Sequence, residues 1–264
     1  MAEKSSISRF GKTEPFELQV ARGQISYHKF VHKFGYNPTI GTSDETVWSE
    51  GGLYAYPTSA STMYISSSST ADTSAGTGAR TATVSGLDAN FDEISETVSL
   101  NGQTGVQLNG ALNWYRVNRI VVNTAGSGGA NAGVLYVGTE ATPSSGVPTN
   151  KYATVAIGDN QTLMCVWTVP RGYTAYLHQK DISASSSASK FAIFTLVARP
   201  DGGVFNIKDR VTLANNSTSI PYWNPIPFYE KTDIEVRAEA DSAGGTITAS
   251  ATLDITYIKN DGGN

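Results

Sequence analysis

The chain has 264 residues with a formal net charge of -4; Lys, Arg, Asp and Glu make up 16% of it, against about 25% in an ordinary soluble domain. Ser and Thr together number 57, Gly 26 and Pro 10, while 13 Tyr, 9 Phe and 4 Trp supply bulky groups worth burying. That balance excludes collagen, a coiled coil, a disulfide-built module and a nucleic-acid packager, and it argues against disorder.

The charge is unevenly spread. Residues 1–33 hold six basic groups and three acids, residues 34–150 three basic groups and nine acids, and the remainder ten and eleven. A basic leader ahead of an acidic domain reads either as an arm that docks on a neighbour of opposite sign or as an ordinary solvated terminus. Residues 1–16 contain no apolar run of signal-peptide type. The longest apolar stretch, Phe191-Ala192-Ile193-Phe194-Thr195-Leu196-Val197-Ala198, is too short to cross a bilayer as a helix.

In chain order, the first expected strand covers residues 25–34, with Ile25, Tyr27, Lys29 and Val31 on one face. A turn-rich passage follows at 36–43, and Pro57 ends any central ladder there. Short runs rich in β-branched and aromatic residues then recur at 62–67, 80–87, 94–100, 114–122 and 133–138, bounded by Gly, Asn, Asp or Ser. Residues 141–149 read as a linker. The rhythm resumes at 152–157, 162–169, 174–179, 190–198, 203–207, 210–213 and 233–240, and ends in one long strand over 246–258. The segment Pro221-Tyr222-Trp223-Asn224-Pro225-Ile226-Pro227-Phe228 is expected to be a rigid aromatic loop because of its prolines. No helix longer than two turns is expected.

The resulting fold class is all-β, an antiparallel β-sandwich of jelly-roll-like type. Two tandem sandwiches are expected, with an extended arm over 1–35 and domains over 36–148 and 149–264; one large sandwich is the alternative.

The search for chemistry is sparse. Lone Cys165 is expected as a buried small hydrophobe and can form no intrachain disulfide. His28 and His32 lack companions for a metal site, and His178 stands alone. No nucleophile sits in a GxSxG setting. Asp88-Ala89-Asn90-Phe91-Asp92-Glu93 opens like a calcium loop but lacks its glycine and closing glutamate, so an acidic hairpin is the reading; Asp72, Asp88, Asp92 and Glu93 remain candidate cation donors. The small-residue tracts 66–79, 125–133 and 183–189 read as loops rather than phosphate cradles. No catalytic, cofactor or metal residue is assigned, and no cofactor is expected.

A resemblance enters through Arg9-Phe10-Gly11, Tyr36-Asn37-Pro38, Glu45-Thr46-Val47-Trp48, Gly51-Gly52-Leu53-Tyr54-Ala55-Tyr56-Pro57, residues 72–80, Gly86-Leu87-Asp88, Glu96-Thr97-Val98-Ser99-Leu100-Asn101-Gly102 and Arg119-Ile120. Over about residues 36–137 the chain resembles a family of structural proteins of tailed bacteriophages. The resemblance implies a non-enzymatic virion component: a head decoration, knob or fibre, or a collar or neck part. Its implied partners are other virion proteins (capsid, portal or neck) and further copies in a symmetric oligomer. Neither direct nucleic-acid binding nor membrane insertion is expected. Candidate contact residues are Arg9, Phe10, Phe16, Trp48, Tyr222, Trp223 and Phe228. The rival readings are a receptor- or carbohydrate-binding module using Trp223 or Trp48, and a glycan-degrading enzyme needing paired carboxylates in a cleft.

Overall fold

The computed structural model describes residues 8–9, 12–109, 113–186, 190–244 and 246–260. The chain begins with β1 (Ser8–Arg9) and β2 (Lys12–Thr13), which pair with each other, and a short helix α1 (Phe16–Ala21). There follow β3 (His28–Asn37), β4 (Glu45–Thr46), β5 (Tyr64–Ser67), β6 (Ala79–Asp88), β7 (Glu93–Ser99), β8 (Val106–Gln107), β9 (Trp114–Ala125), β10 (Leu135–Gly138) and β11 (Ala153–Val155). The last third holds β12 (Val166–Thr168), β13 (Tyr173–Ser186), β14 (Phe191–Arg199), β15 (Asn206–Ala214), β16 (Ser217–Phe228), β17 (Asp233–Ala240) and β18 (Ile247–Lys259). Among the described residues every strand pairing is antiparallel and α1 is the one α-helix, so the fold is all-β.

Two sandwiches form, but not in tandem. One packs the sheet β16-β13-β18-β3 on the sheet β12-β17-β14-β15. β4 shares the outer edge of β17 with β12: Glu45 and Thr46 lie against Ala238 and Arg237, and Val166, Trp167 and Thr168 against Glu235, Ile234 and Asp233. β4 and β12 are therefore two halves of one edge strand. Numbered along the chain, this sandwich has eight strand positions. The first, eighth, third and sixth form one sheet, and the second, seventh, fourth and fifth the other. That connectivity is a jelly roll.

The second sandwich is inserted within the split strand. The chain leaves at Val47 and returns at Cys165, whose N–H donates to the Val47 carbonyl at 2.9 Å. Trp48 and Met164 form the next bridge outward. The two ends thus sit side by side, the arrangement that lets one domain interrupt another. Gly35 of β3 passes directly beneath this junction, and a side chain there would collide with the Val47 carbonyl and the Cys165 backbone. The inserted domain packs the sheet β11-β10-β5-β8 against β7-β6-β9, around Met63, Ile65, Val84, Trp114, Ile120 and Leu135.

These pairings correct two expectations. The arm boundary at 35 cuts through β3, which pairs with β18 from His28↔Ile258 to Asn37↔Ala249 and so belongs to the C-terminal sandwich. The boundary at 148 falls inside the inserted domain, ahead of β11, which pairs with β10. Strand rhythm locates strands but carries no record of partners two hundred residues away.

The proline-rich aromatic segment is also corrected: it lies in β16, not in a loop. Among the described residues β16 is an edge strand paired only with β13, so its prolines cost no ladder bond on the open side and block further strand addition there. Its pairing advances by two residues on β13 and five on β16, from Leu177↔Ile226 to Gln179↔Pro221, leaving residues 222–225 as a bulge.

Candidate functional site

The seam between the sandwiches holds a cluster of buried charged side chains, among them Arg116 and Asp233. At its centre Asp233 of β17, 2% exposed, faces the inserted domain. Arg116 of β9 grips it with both ends of the guanidinium, Nε to Oδ1 at 2.9 Å and Nη2 to Oδ2 at 3.1 Å. Arg199 of β14 takes Oδ2 from the other side at 2.5 Å, and the Thr168 hydroxyl donates to Oδ1 at 2.6 Å. Arg116 also donates to the Pro57 carbonyl at 3.2 Å. Its guanidinium stacks 4.1 Å from the Tyr115 ring, while Arg199 lies 4.6 Å from each of the Tyr56 and Phe205 rings. The bidentate pair crosses from one domain to the other. Removing either partner would strand a buried charge, which gives the contact its weight. Beside it, burial pushes the Glu235 carboxyl up despite its bonds to Arg237, Thr46 and Tyr56.

The acidic hairpin between β6 and β7 docks on the jelly roll. Asp88 Oδ1 accepts the N–H groups of Asn90 and Asp92, holding a turn in which Phe91 adopts a φ of 64°. Asp92 then binds Arg171 through two bonds, at 3.1 and 2.6 Å. Glu93 pairs with Lys29 of β3 and accepts the Tyr257 hydroxyl at 2.8 Å. These carboxylates are committed to protein partners. Asp72 is likewise filled: fully buried, it accepts Ser67 Oγ, Ala79 N, Ala132 N and Gly133 N at 2.6 to 2.8 Å. It ties together two of the small-residue tracts. Among the described residues no three His, Cys, Asp or Glu side chains gather in a metal-holding group.

The basic leader finds part of its acidic complement inside the chain. Lys29 meets Glu93, Lys33 donates to the Asn118 carbonyl of β9, and Arg22 pairs with Glu14. His32 bonds Asp254 at 2.6 Å on the outer face of the sheet, and His28 bonds the Ser26 carbonyl. Cys165 is buried, and burial pushes its thiol up to about 12.

The expected contact residues scatter. Phe10 lies outside the described residues, and Arg9 sits in β1. Phe16 is exposed, edge-on to His28 at 5.6 Å. Trp48 is buried where the inserted domain departs, with Nε1 donating to the Gly51 carbonyl at 2.9 Å, so it offers no outward surface. Phe228 is likewise buried, in the jelly-roll core. Tyr222 turns inward, and its hydroxyl bonds Asp209, which also pairs with fully buried Lys180. Trp223, on the β16 bulge, is 91% exposed. Tyr222 and Trp223, adjacent in sequence, therefore do not share one outward surface.

Two grooves flank the seam. The larger, about 420 Å³, runs between β3 and the strands β6, β7 and β9; its one carboxylate is Glu93. The smaller, about 290 Å³, contains Asp201 and Asp233, and Asp233 is already engaged by two arginines. Neither presents a free carboxylate pair of the kind glycoside hydrolysis requires. Sequence reasoning missed Lys33, Arg116, Arg199 and Asp233. A lysine continuing the Val31 face of β3 was the one available signal.

No protein-family model matches the sequence, and no curated protein matches it. Among solved structures the chain is similar to that of the infectious bursal disease virus Gx strain, at 11% identity over 90% of this chain and 73% of that one, with a TM-score of 0.26. It is also similar to the infectious bursal disease virus VP2 subviral particle, at 13% identity over 90% and 73%, with a TM-score of 0.23. At such values the jelly-roll assignment rests on the chain's own strand pairing.

Proposed function

We propose that the chain is a non-enzymatic structural component of a virion, a head decoration or knob or a collar part of a tailed bacteriophage, acting with other virion proteins as a symmetric oligomer. The observation that carries this reading is architectural. A jelly roll, a fold used for capsid and lectin domains, carries a second sandwich fixed to it by a buried Arg116–Asp233–Arg199 lock. The charged side chains of this lock are spent on protein partners, Asp233 accepting from Arg116, Arg199 and Thr168. The resemblance over residues 36–137 supports the same role. The docking arm of this reading is the part preceding β3, residues 1–27, where Phe16 and Leu18 are each 46% exposed.

Native mass measurement tests the proposal. A closed ring or trimer that falls to monomer on deletion of residues 1–27 is the expected result. A chain that stays monomeric at all concentrations, alone and with capsid or neck proteins, would overturn it.

A receptor- or glycan-binding role is the second reading, favoured by Trp223 alone. An indole projecting from a bulge on a proline-blocked edge suits stacking on a sugar face. Trp223→Ala abolishing adsorption to host cells would support it, and unchanged adsorption would remove it.

A further inference from the structure

The larger groove at the seam contains a charge imbalance that the fold does not resolve. Lys33 lies on its floor, 6% exposed, with Nζ donating to the Asn118 backbone carbonyl. Arg119, on the facing strand of the inserted domain, donates to the neutral Gln161 side chain at 2.6 Å and lies 5.6 Å from the Phe34 ring. Among the described residues neither cation has a carboxylate partner. The acids nearby are taken: Asp254 by His32, and Glu93 by Lys29 and Tyr257. Cys165, the other ionisable neighbour of Lys33, is held as a neutral thiol by its burial.

We infer that this groove is a binding site for an oxyanion, a carboxylate or phosphate group seated between Lys33 and Arg119. A desolvated ammonium bound only to a neutral carbonyl is costly, and a carboxylate or phosphate offers it a charge-assisted partner. Arg119 presents the planar guanidinium that recognises such groups through two parallel bonds. Phe30, Val31, Ile94 and Trp167 supply apolar wall that lowers the effective dielectric around the buried Lys33, while Arg119 stands exposed at the rim and the groove's carboxylate, Glu93, is held by Lys29. The volume, about 420 Å³, lies in the range of small-ligand sites. Burial lowers the Lys33 pKa to about 7 in the empty groove, with the Arg119 charge acting in the same direction. An arriving anion raises it again, so binding takes up a proton above neutral pH.

The site does not depend on the virion reading. The oxyanion has two sources, a free small anion or an acidic side chain from another copy of the chain.

The test is calorimetric titration of the whole chain with inorganic phosphate at constant ionic strength, with chloride as the control because general screening acts on every surface charge. Saturable millimolar binding is expected, with proton uptake at pH 8 seen as a buffer-dependent heat. Arg119→Gln should weaken it by about tenfold, or about 1.4 kcal/mol. Lys33→Met should abolish proton uptake while raising the unfolding midpoint, which separates loss of the site from loss of the fold. If phosphate also dissociates an oligomer, the native occupant is a neighbour's carboxylate; if the mass is unchanged, it is a free anion. Absence of saturable binding, or equal binding by wild type and both variants, would overturn the inference.

Discussion

The two sandwiches are held together internally by different means. In the jelly roll β13 and β18 pair along nearly their whole lengths, from Tyr173↔Lys259 to Ser186↔Ile247, and backbone ladders define the sheet. In the inserted domain the sheet β11-β10-β5-β8 is built from strands of two to four residues. There, side chains reinforce short ladders, whereas the facing sheet β7-β6-β9 keeps long ones. Asp72 collects four donors, and Asn131 Nδ2 bonds the carbonyls of Gly133 and Ala156 at 2.7 and 2.8 Å. Long Ser- and Gly-rich tracts in this setting are architecture and not slack: a single buried carboxylate satisfies backbone N–H groups that these loops would otherwise leave unpaired.

The comparison can be broken most forcefully at the seam. Asp233→Ala should cost about 3–5 kcal/mol, because it leaves Arg116 buried without its counterion. Chemical denaturation followed by separate probes on the two domains should then show two transitions where the wild type shows one. Asp72→Ala comes next. It should cost about 3 kcal/mol by leaving the buried N–H groups of Ala79 and Gly133 unpaired, and it also removes the acceptor of the Ala132 N–H. Hydrogen exchange should lose protection across 66–79 and 126–133 while β13 and β18 stay protected. Equal loss in both domains would contradict the division of labour drawn above.

Lys33 provides a pH signature at the border between the two regions. Its pKa is lowered from 10.5 to about 7 in the folded chain, so the unfolded chain binds more protons between those values. Its contribution to stability is therefore fullest above pH 10.5 and is lost as pH falls to about 7, at a slope of up to about 1.4 kcal/mol per unit. Lys33→Met should flatten that part of the stability profile measured in urea. The smallest effect belongs to the rim. Arg171→Gln should cost less than about 1 kcal/mol, since the pair it makes with Asp92 is roughly half exposed.

Much of the strand content was legible in the sequence, and little of its pairing. Residues 247–257 alternate cleanly, with Ile247, Ala249, Ala251, Leu253, Ile255 and Tyr257 all buried in β18, because a two-residue period is a local property. The interrupted jelly roll was not legible. It depends on β3 meeting β18 and on Val47 meeting Cys165, and neither contact leaves a local trace. Proline misled the reading of β16 because its prohibition applies to central strands, and β16 is an edge. Of the site, the acidic hairpin was found but not its partners on β3 and beyond Thr168, where Arg171 begins the next turn. Trp48 and Trp223 look alike in sequence, yet one closes the junction between domains and the other stands in solvent.

The central claim is that the inserted sandwich is fixed rigidly to the jelly roll by the Arg116–Asp233–Arg199 lock. Its most direct test is a spin-label distance measurement between Ile157→Cys on the inserted domain and Tyr229→Cys on the jelly roll. Both positions are exposed, and buried Cys165 stays unlabelled. A single narrow distance distribution that broadens when Asp233→Asn is added is the predicted result. A broad distribution in the protein with Asp233 intact would contradict it.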